Sequence, residues 1–271
     1  MSEPTEPTKP TAEPTKPTAE PTKPVPESSQ LIDLVKSLQF AWFIGHVITL
    51  IGIFFYTLTY LRIGTGYYKF WYQLSLIGII ESFGILIYQI SLKKGTKLTI
   101  LLKDDNTHYL FLGLLLLFLR PYVLLTLSSF ALYSTFHVLA YIKGYLLPIF
   151  HYDSHPVSEQ IGSLINSNNA KSIQLASILE IYTLGWLLIR MFTFRKRSLS
   201  PVLIYLIFIK LRYEKLIFTR NYFKTIEIKL EEFVNNANIP IVKQAWIQIK
   251  QVTRQVGGFY LVNDFTKEKS N

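Results

Sequence analysis

The sequence predicts an all-α fold: a multi-span helical integral membrane protein with a cytosolic, amphipathic helical C-terminal tail. The chain has 271 residues, of which 49% are hydrophobic, and a single soluble core of this size needs less apolar surface. Several predominantly apolar runs exceed the roughly 20 residues that a bilayer core requires. The Lys and Arg residues behind the net charge of +10 lie between and after these runs. This pattern favours a membrane surface over nucleic acid as the acidic partner.

Residues 1–30 form a polar tail that we expect to be disordered. Residues 6–26 read EPTKPTA, EPTKPTA, EPTKPVP, and proline at this frequency excludes a helix. A solvated spacer and a docking segment both fit this composition. The tail lacks the apolar stretch of a cleavable signal peptide, so we expect the first span to act as the targeting signal. A cytosolic N-terminus follows from that reading.

Two long apolar runs then predict a tight helical hairpin within a membrane domain at residues 31–212. Residues 38–61 contain no charge, and residues 70–92 form a second run with Trp71 and Tyr72 at its start. Such aromatic residues are typical of the membrane interface. The loop that follows carries Lys93, Lys94, Lys97 and Lys103. The positive-inside rule places this loop in the cytosol.

The next apolar stretch, from Tyr109 to Ile142, is too long for one ordinary span, and Arg120-Pro121 divides it. Proline removes a backbone donor and arginine resists burial in lipid. One interpretation is a short interfacial or re-entrant piece at 109–119 before a span at 121–142. The other is a single tilted helix that is kinked at the proline. We prefer the first.

The remainder of the membrane domain predicts one more span. Residues 143–171 are polar with few positive charges, so we place them in the lumen. A fourth span at 173–194 ends among Arg190, Arg195, Lys196 and Arg197, which favours a cytosolic end. The apolar run 202–209 is too short to cross a bilayer. Both termini are therefore predicted to face the cytosol.

Residues 213–260 form the amphipathic tail, and residues 261–271 are expected to be disordered. At 100° per residue, the helix after Pro240 has an apolar arc and an opposite basic side. We expect it to lie in the headgroup region of a bilayer, although packing on the preceding segment fits the same stripe. The predicted membrane-surface residues are Ile241, Val242, Lys243, Trp246, Ile249, Lys250, Val252, Arg254 and Val256.

Few residues suggest chemistry. Glu81 and Glu180 lie inside predicted spans, where an ionisable group is a functional hypothesis by default. They support an alternative function as a small transporter or channel, although a carboxyl bonded between helices is the commoner explanation. The chain has no cysteine and no nucleotide-binding or hydrolase motif, so we expect no enzyme, no cofactor and no metal site. His151 and His155 flank Asp153, but nothing there fixes the geometry that zinc demands.

The block FLRPYVLLTLSSFALYSTFHVLAYIK at 118–143 resembles the transmembrane protein 33 family, whose fungal branch includes pore-membrane proteins of the nuclear envelope. An Arg-Pro pair and a Ser-x-Phe-His-x-x-x-Tyr pattern carry the likeness. In this sequence the matching residues are Arg120, Pro121, Ser134, Phe136, His137 and Tyr141. The order of spans followed by a basic amphipathic tail is also similar to that of the family, over about residues 30–260.

The resemblance implies a non-enzymatic protein of the endoplasmic reticulum and nuclear envelope. Such proteins shape curved membrane and, in fungi, influence nuclear pore complex assembly or distribution. The implied partners are the lipid bilayer, reticulon-type membrane proteins, nuclear pore components and an importin, with no direct contact to nucleic acid. The family likeness would place the membrane and importin contacts on residues 241–256.

Overall fold

The computed structural model describes residues 27–63, 66–195 and 198–262, with the backbone alone for residues 27–30. All regular secondary structure in these ranges is helical, which confirms the predicted all-α fold. Four segments are long and apolar enough to cross a membrane: Leu38–Tyr60, Tyr68–Lys94, Leu124–Ile149 and Pro156–Phe192. Most of the segments predicted to be disordered, 1–30 and 261–271, lies outside the described residues.

The helices follow one another with short connections. In chain order they are α1 (Glu27–Val35), α2 (Leu38–Tyr60), α3 (Tyr68–Lys94), α4 (Leu98–Leu102), α5 (Asp105–Leu119), α6 (Ser128–Tyr141), α7 (Leu147–Ile149), α8 (Pro156–Phe192), α9 (Leu199–Lys215), α10 (Ile217–Ala237) and α11 (Pro240–Gly258). A 3-10 turn at Leu124–Leu127 leads into α6, and a π-helical turn at Ile142–Leu146 joins α6 to α7.

Local sequence explains where several of these helices begin and end. The Ser37 side chain caps α2 by accepting from Phe40 N, and the Asp104 carboxylate caps α5 in the same way. Such caps satisfy backbone donors that have no partner inside the helix. Helix α3 ends at Gly95, whose φ of 85° is easily adopted only by glycine.

The helices run between two ends of a bundle. At one end Gln89 in α3 donates to Gln39 in α2 over 3.4 Å, and α1 contacts α7. We call this the near end; it also holds the connections 95–104 and 150–155. At the opposite end, the Tyr122 ring packs on Tyr68 at 5.5 Å. We call it the far end, formed by residues 61–63, 66–67, 120–123 and 193–195.

Helices α2 and α3 pack so closely that small residues are required between them. A Cβ at Gly52 would lie 2.7 Å from Ser75 N, and a Cβ at Gly45 would lie 2.9 Å from the Gly78 carbonyl oxygen. Thr49 adds a side-chain hydrogen bond to the Gly45 carbonyl oxygen at 2.9 Å. Close backbone approach through small residues is a common way for helices to associate in membranes.

Helices α5 and α9 lie inside the bundle, which corrects the prediction for 109–119 and 202–209. Leu116 in α5 and Tyr205 in α9 are fully buried in the main core. Both helices run between the near and far ends, since Asp105 contacts Arg212 at one end and Arg120 and Pro201 line one cavity at the other. Residues 109–119, expected as an interfacial or re-entrant piece, thus belong to a helix packed in the core, and the apolar run 202–209 is part of the longer helix α9.

The same two helices change the predicted placement of the loops. Because α5 adds a pass through the bundle, the segment after α6 returns to the near end, where Lys143 lies beside Gly162 of α8. Residues 143–171 were predicted on the side opposite the lysine-rich loop, and they are on the same side. Arg190 and Arg195 lie toward the far end. The structure does not show which end faces the cytosol, so the cytosolic placement of both termini stays a prediction.

The bounds of the third and fourth spans also differ from the prediction. The third helical segment begins at Leu124 and continues to Ile149, beyond the predicted 121–142, because Arg120 and Tyr122 adopt positive φ around Pro121. The fourth starts at Pro156, well before residue 173. Its first half is a polar helix with a proline in the first turn, a feature that a hydropathy scan does not detect.

Candidate functional site

The C-terminal tail folds as a helical hairpin, α10–α11. Helix α10 ends at Asn238, whose φ is 50°, and Pro240 begins α11. Lys250 Nζ lies 2.9 Å from the Glu231 carboxylate, and Arg254 Nη2 lies 3.5 Å from that of Glu227. These two ion pairs align α11 antiparallel to α10.

The apolar arc of α11 divides between α10 and the outside. Val242 and Trp246 are half-buried, and the Trp246 indole nitrogen is shielded from solvent. The rest of the stripe points away from the bundle: Ile241 is 73% exposed, Val252 59%, Val256 55% and Ile249 52%. Of the predicted surface residues, Lys243 and Lys250 are half-buried and Arg254 is exposed. The arc is thus half-buried in one part and exposed in the other, and contact of the exposed part with a membrane stays a prediction.

The end of the hairpin is fixed to α9. The buried Glu214 carboxylate accepts hydrogen bonds from Leu261 N at 2.7 Å and Val262 N at 3.0 Å. Lys210 donates to the Gly257 carbonyl oxygen at 3.4 Å and lies 5.3 Å from the centre of the Tyr260 ring. Both ends of the α10–α11 hairpin are therefore attached to the near end of the bundle.

Three residues of the family pattern meet α2 in one cluster. Ser134 Oγ lies 3.0 Å from His46 Nδ1, and the His137 ring lies 4.7 Å from the His46 ring. The Tyr141 ring stacks on Phe43 at 4.3 Å. Ser134, His137 and Tyr141 thus form a packed polar and aromatic seam between α6 and α2.

The other residues of the pattern lie elsewhere. Arg120 is exposed at the end of α5, and Pro121 is buried beside it. Phe136 is half-buried on α6. Arg120 borders a far-end cavity with Phe118 and Pro201, whereas the Tyr141 cluster lies at the near end. Arg120 and His137 therefore do not share one site.

Glu180 sits at the centre of a buried polar network. Its carboxylate accepts a hydrogen bond from Tyr109 at 2.5 Å and lies 3.2 Å from Arg212 Nε. Glu180 is 0% exposed and Arg212 2%. Arg212 also stacks over the Tyr109 ring at 4.9 Å and reaches Asp105 at 3.2 Å. The network joins α5, α8 and α9 near one end of the core.

Sequence reasoning missed the partners of this network. It identified Glu180 as an ionisable group inside a span, but it treated Arg212 only as the last residue of the membrane domain. The sequence did contain an indication of this partner. A buried carboxylate needs a cation, and Arg212 lies close after an apolar run. Glu81 in α3 is half-buried and is not among the partners of Glu180. His155, considered as a metal ligand, caps α8 by accepting from Val157 N at 3.2 Å.

Comparisons with known proteins match nearly the whole chain. The family model described as transmembrane protein 33/nucleoporin POM33 matches residues 24–257. The chain is 30% identical to "Nucleoporin POM33" of Chaetomium thermophilum, covering 90% of this chain and 93% of the relative. It is 32% identical to "Pore membrane protein of 33 kDa" of Saccharomyces cerevisiae, covering 80% and 82%. "Tetra-spanning protein 1" of Schizosaccharomyces pombe is 29% identical, covering 84% and 87%. No solved structure matches the chain.

Proposed function

Because the chain belongs to the transmembrane protein 33/nucleoporin POM33 family, we propose that it is a non-catalytic protein of the endoplasmic reticulum and nuclear pore membrane. In this role it stabilises curved membrane and supports the assembly or distribution of nuclear pore complexes. Two relatives are named as a nucleoporin and a pore membrane protein. A third is named "Pore and endoplasmic reticulum protein of 33 kDa", which supports both locations.

The exposed apolar stripe of α11 is the observation that carries the proposal. A helix with apolar residues on one side and lysines on the other binds in the plane of the headgroups, with its stripe dipping into the acyl boundary. Each Lys or Arg close to an anionic leaflet adds about 1 kcal/mol. Since the hairpin is attached to a bundle that is already in the bilayer, it needs little further affinity to stay on the surface.

The asymmetry of the molecule supports a preference for curvature. The α10–α11 hairpin joins the bundle at the near end, and α1, α4 and α7 lie at the same end. Helices that insert among the headgroups of one leaflet expand that leaflet relative to the other. With both termini in the cytosol, as we propose, the cytosolic leaflet expands. The rim of a nuclear pore, where two membranes join, has curvature of this kind.

We also propose nuclear pore components, reticulon-type proteins and an importin as partners. The names of the relatives support the pore components. The other two rest on the family resemblance. Lys243 adds positive charge to α11 beside the ion pairs that Lys250 and Arg254 form with α10, and this charge suits an acidic protein surface as well as anionic lipid. The same helix is therefore where membrane and protein partners would compete.

Replacing Val252 by glutamate should weaken insertion of the hairpin by about tenfold, because the burial of one valine side chain is worth roughly 1.5 kcal/mol. The full chain is reconstituted into liposomes that contain anionic lipid, and vesicle diameter is measured by electron microscopy. We expect the unmodified chain to produce small or tubular vesicles and V252E to leave the diameter of protein-free liposomes.

Gln248→Glu is the matched control, since Gln248 is exposed on the polar side of α11 and gains the same charge. It should remodel vesicles like the unmodified chain, apart from the small loss caused by repulsion from anionic lipid. Remodelling that survives V252E, or fails equally in Q248E, would exclude the apolar stripe as the cause. A fluorescently tagged V252E chain in fungal cells should correspondingly lose enrichment at the pore membrane.

A further inference from the structure

The far end contains a cavity lined by hydroxyl groups and one guanidinium. Its volume is about 380 Å³. Tyr56, which is 2% exposed, forms the buried part of the wall, while Tyr60 and Tyr68 are exposed. The lining residues are Tyr56, Thr59, Tyr60, Arg62, Gly66, Tyr68 and Tyr122. They come from the end of α2, the start of α3 and the turn after α5.

The charge around this cavity is entirely positive. Within the described residues 56–63, 66–72, 116–128, 186–195 and 198–205, the segments that reach the far end, there is no Asp or Glu. The near end differs, since Asp33, Asp104 and Asp105 lie there among the lysines. The basic residues described in these segments are Arg62, Lys69, Arg120, Arg190 and Arg195. An anion is therefore the complementary partner of the far end.

Two residues that line the cavity have left-handed backbone conformations. Arg62 has φ 60° and Tyr122 has φ 51°. A non-glycine residue in this region costs free energy, and such residues cluster at ligand sites where the surrounding structure holds them. Tyr122 is held by the rings of Tyr68 at 5.5 Å and Tyr72 at 5.3 Å. The strained turns aim one cationic and one phenolic side chain at the same space.

We propose that this cavity binds a phosphate group, with the Arg62 guanidinium as the charged contact and the phenols of Tyr60, Tyr68 and Tyr122 as hydrogen-bond donors. Guanidinium presents a rigid fork of donors that matches phosphate oxygens. A ring of phenols adds donors without adding acidic charge. The far end lies where a bilayer places its headgroups, so a phospholipid supplies this phosphate most directly, and a soluble phosphate compound is the other source.

The test uses the full chain purified in mild detergent, with bound phospholipid counted by native mass spectrometry. We expect the unmodified chain to retain phospholipid and Arg62→Gln to lower the retained fraction by about tenfold, the size of effect expected for one charge-assisted contact. Tyr68→Phe, which removes a single hydroxyl, should lower it by a few-fold. Arg195→Gln removes the same charge near the far end outside the cavity and should retain the lipid.

The variant Arg62→Gly tests whether lipid is lost because the protein misfolds or because the guanidinium is missing. Glycine adopts the φ of 60° without strain, so this variant should unfold at the same or a higher temperature and still lose the lipid. A second arm adds inorganic phosphate to lipid-depleted protein and follows thermal unfolding. Stabilisation by phosphate without lipid retention would identify a soluble source. The proposal would be overturned if R62G bound lipid and phosphate as well as the unmodified chain does. It would also be overturned if R195Q lost as much phospholipid as R62Q.

Discussion

Replacement of Gly78 by alanine should destabilise the protein by about 3 kcal/mol, at the upper end of the usual range for adding one carbon to a packed core. The added Cβ would lie against the Gly45 carbonyl oxygen and 2.8 Å from Thr49 N. Both obstructing atoms belong to the backbone of α2, so no rotamer change relieves the contact. The two helices must separate along their whole contact, and the hydrogen bond from Ser82 to the Trp42 carbonyl oxygen, 3.3 Å long, would be lost.

The free energy of unfolding in mixed detergent micelles measures this effect. Gly84→Ala is the matched control, because Gly84 lies on the same helix and a Cβ there meets nothing within 4 Å. Alanine has the higher helix propensity, so this control should be neutral or stabilising by up to about 1 kcal/mol. Similar stabilities for G78A and G84A would show that α2 and α3 are not packed at this distance.

Removal of the Arg212 charge should cost about 3 to 5 kcal/mol, the range measured when one partner of a buried ion pair is deleted. Arg212→Met keeps most of the volume and leaves the Glu180 carboxylate at 0% exposure without its cation. Asp105 and the Tyr109 ring lose the same partner. Unfolding in mixed micelles should therefore show R212M among the least stable single variants of the core.

Two further variants separate this pair from a general loss of charge. Combining R212M with Glu180→Leu should recover most of the stability, since an apolar pair of similar volume often replaces a buried ion pair without loss. Arg254→Met breaks an ion pair in which Arg254 is 72% exposed, and should cost at most about 1 kcal/mol. If the double variant is no more stable than R212M, the cost arises from packing rather than from an uncompensated carboxylate.

The sequence predicts the fold wherever hydropathy alone decides the structure. Helices α2 and α3 appear as uninterrupted apolar runs, and their connection is too short for any arrangement except a hairpin. Helices α5 and α9 were misjudged because 15 and 17 residues look too short to pass through a membrane domain. Their depth depends on contacts such as that between Asp105 and Arg212, which join residues far apart in sequence.

The candidate sites likewise include features that the local sequence predicts and features that depend on contacts between distant residues. The amphipathic character of α11 follows from a local period, so the stripe from Ile241 to Val256 could be derived from the sequence. The placement of α11 beside α10 could not, because it depends on ion pairs from Lys250 and Arg254 to the neighbouring helix. The far-end cavity was invisible for a similar reason, since three separated segments supply its tyrosines.

The short α5–α9 pair has a consequence for the bilayer around the protein. At 1.5 Å per residue these helices are about 22 and 26 Å long, against about 35 Å for α2. A hydrocarbon core of about 30 Å exceeds the first two lengths, so lipid must compress beside one flank of the bundle. Each ångström of mismatch costs a fraction of a kcal/mol, and the bilayer of the endoplasmic reticulum is a few ångströms thinner than the plasma membrane. A bilayer thinner than the plasma membrane therefore fits the α5–α9 pair with less deformation.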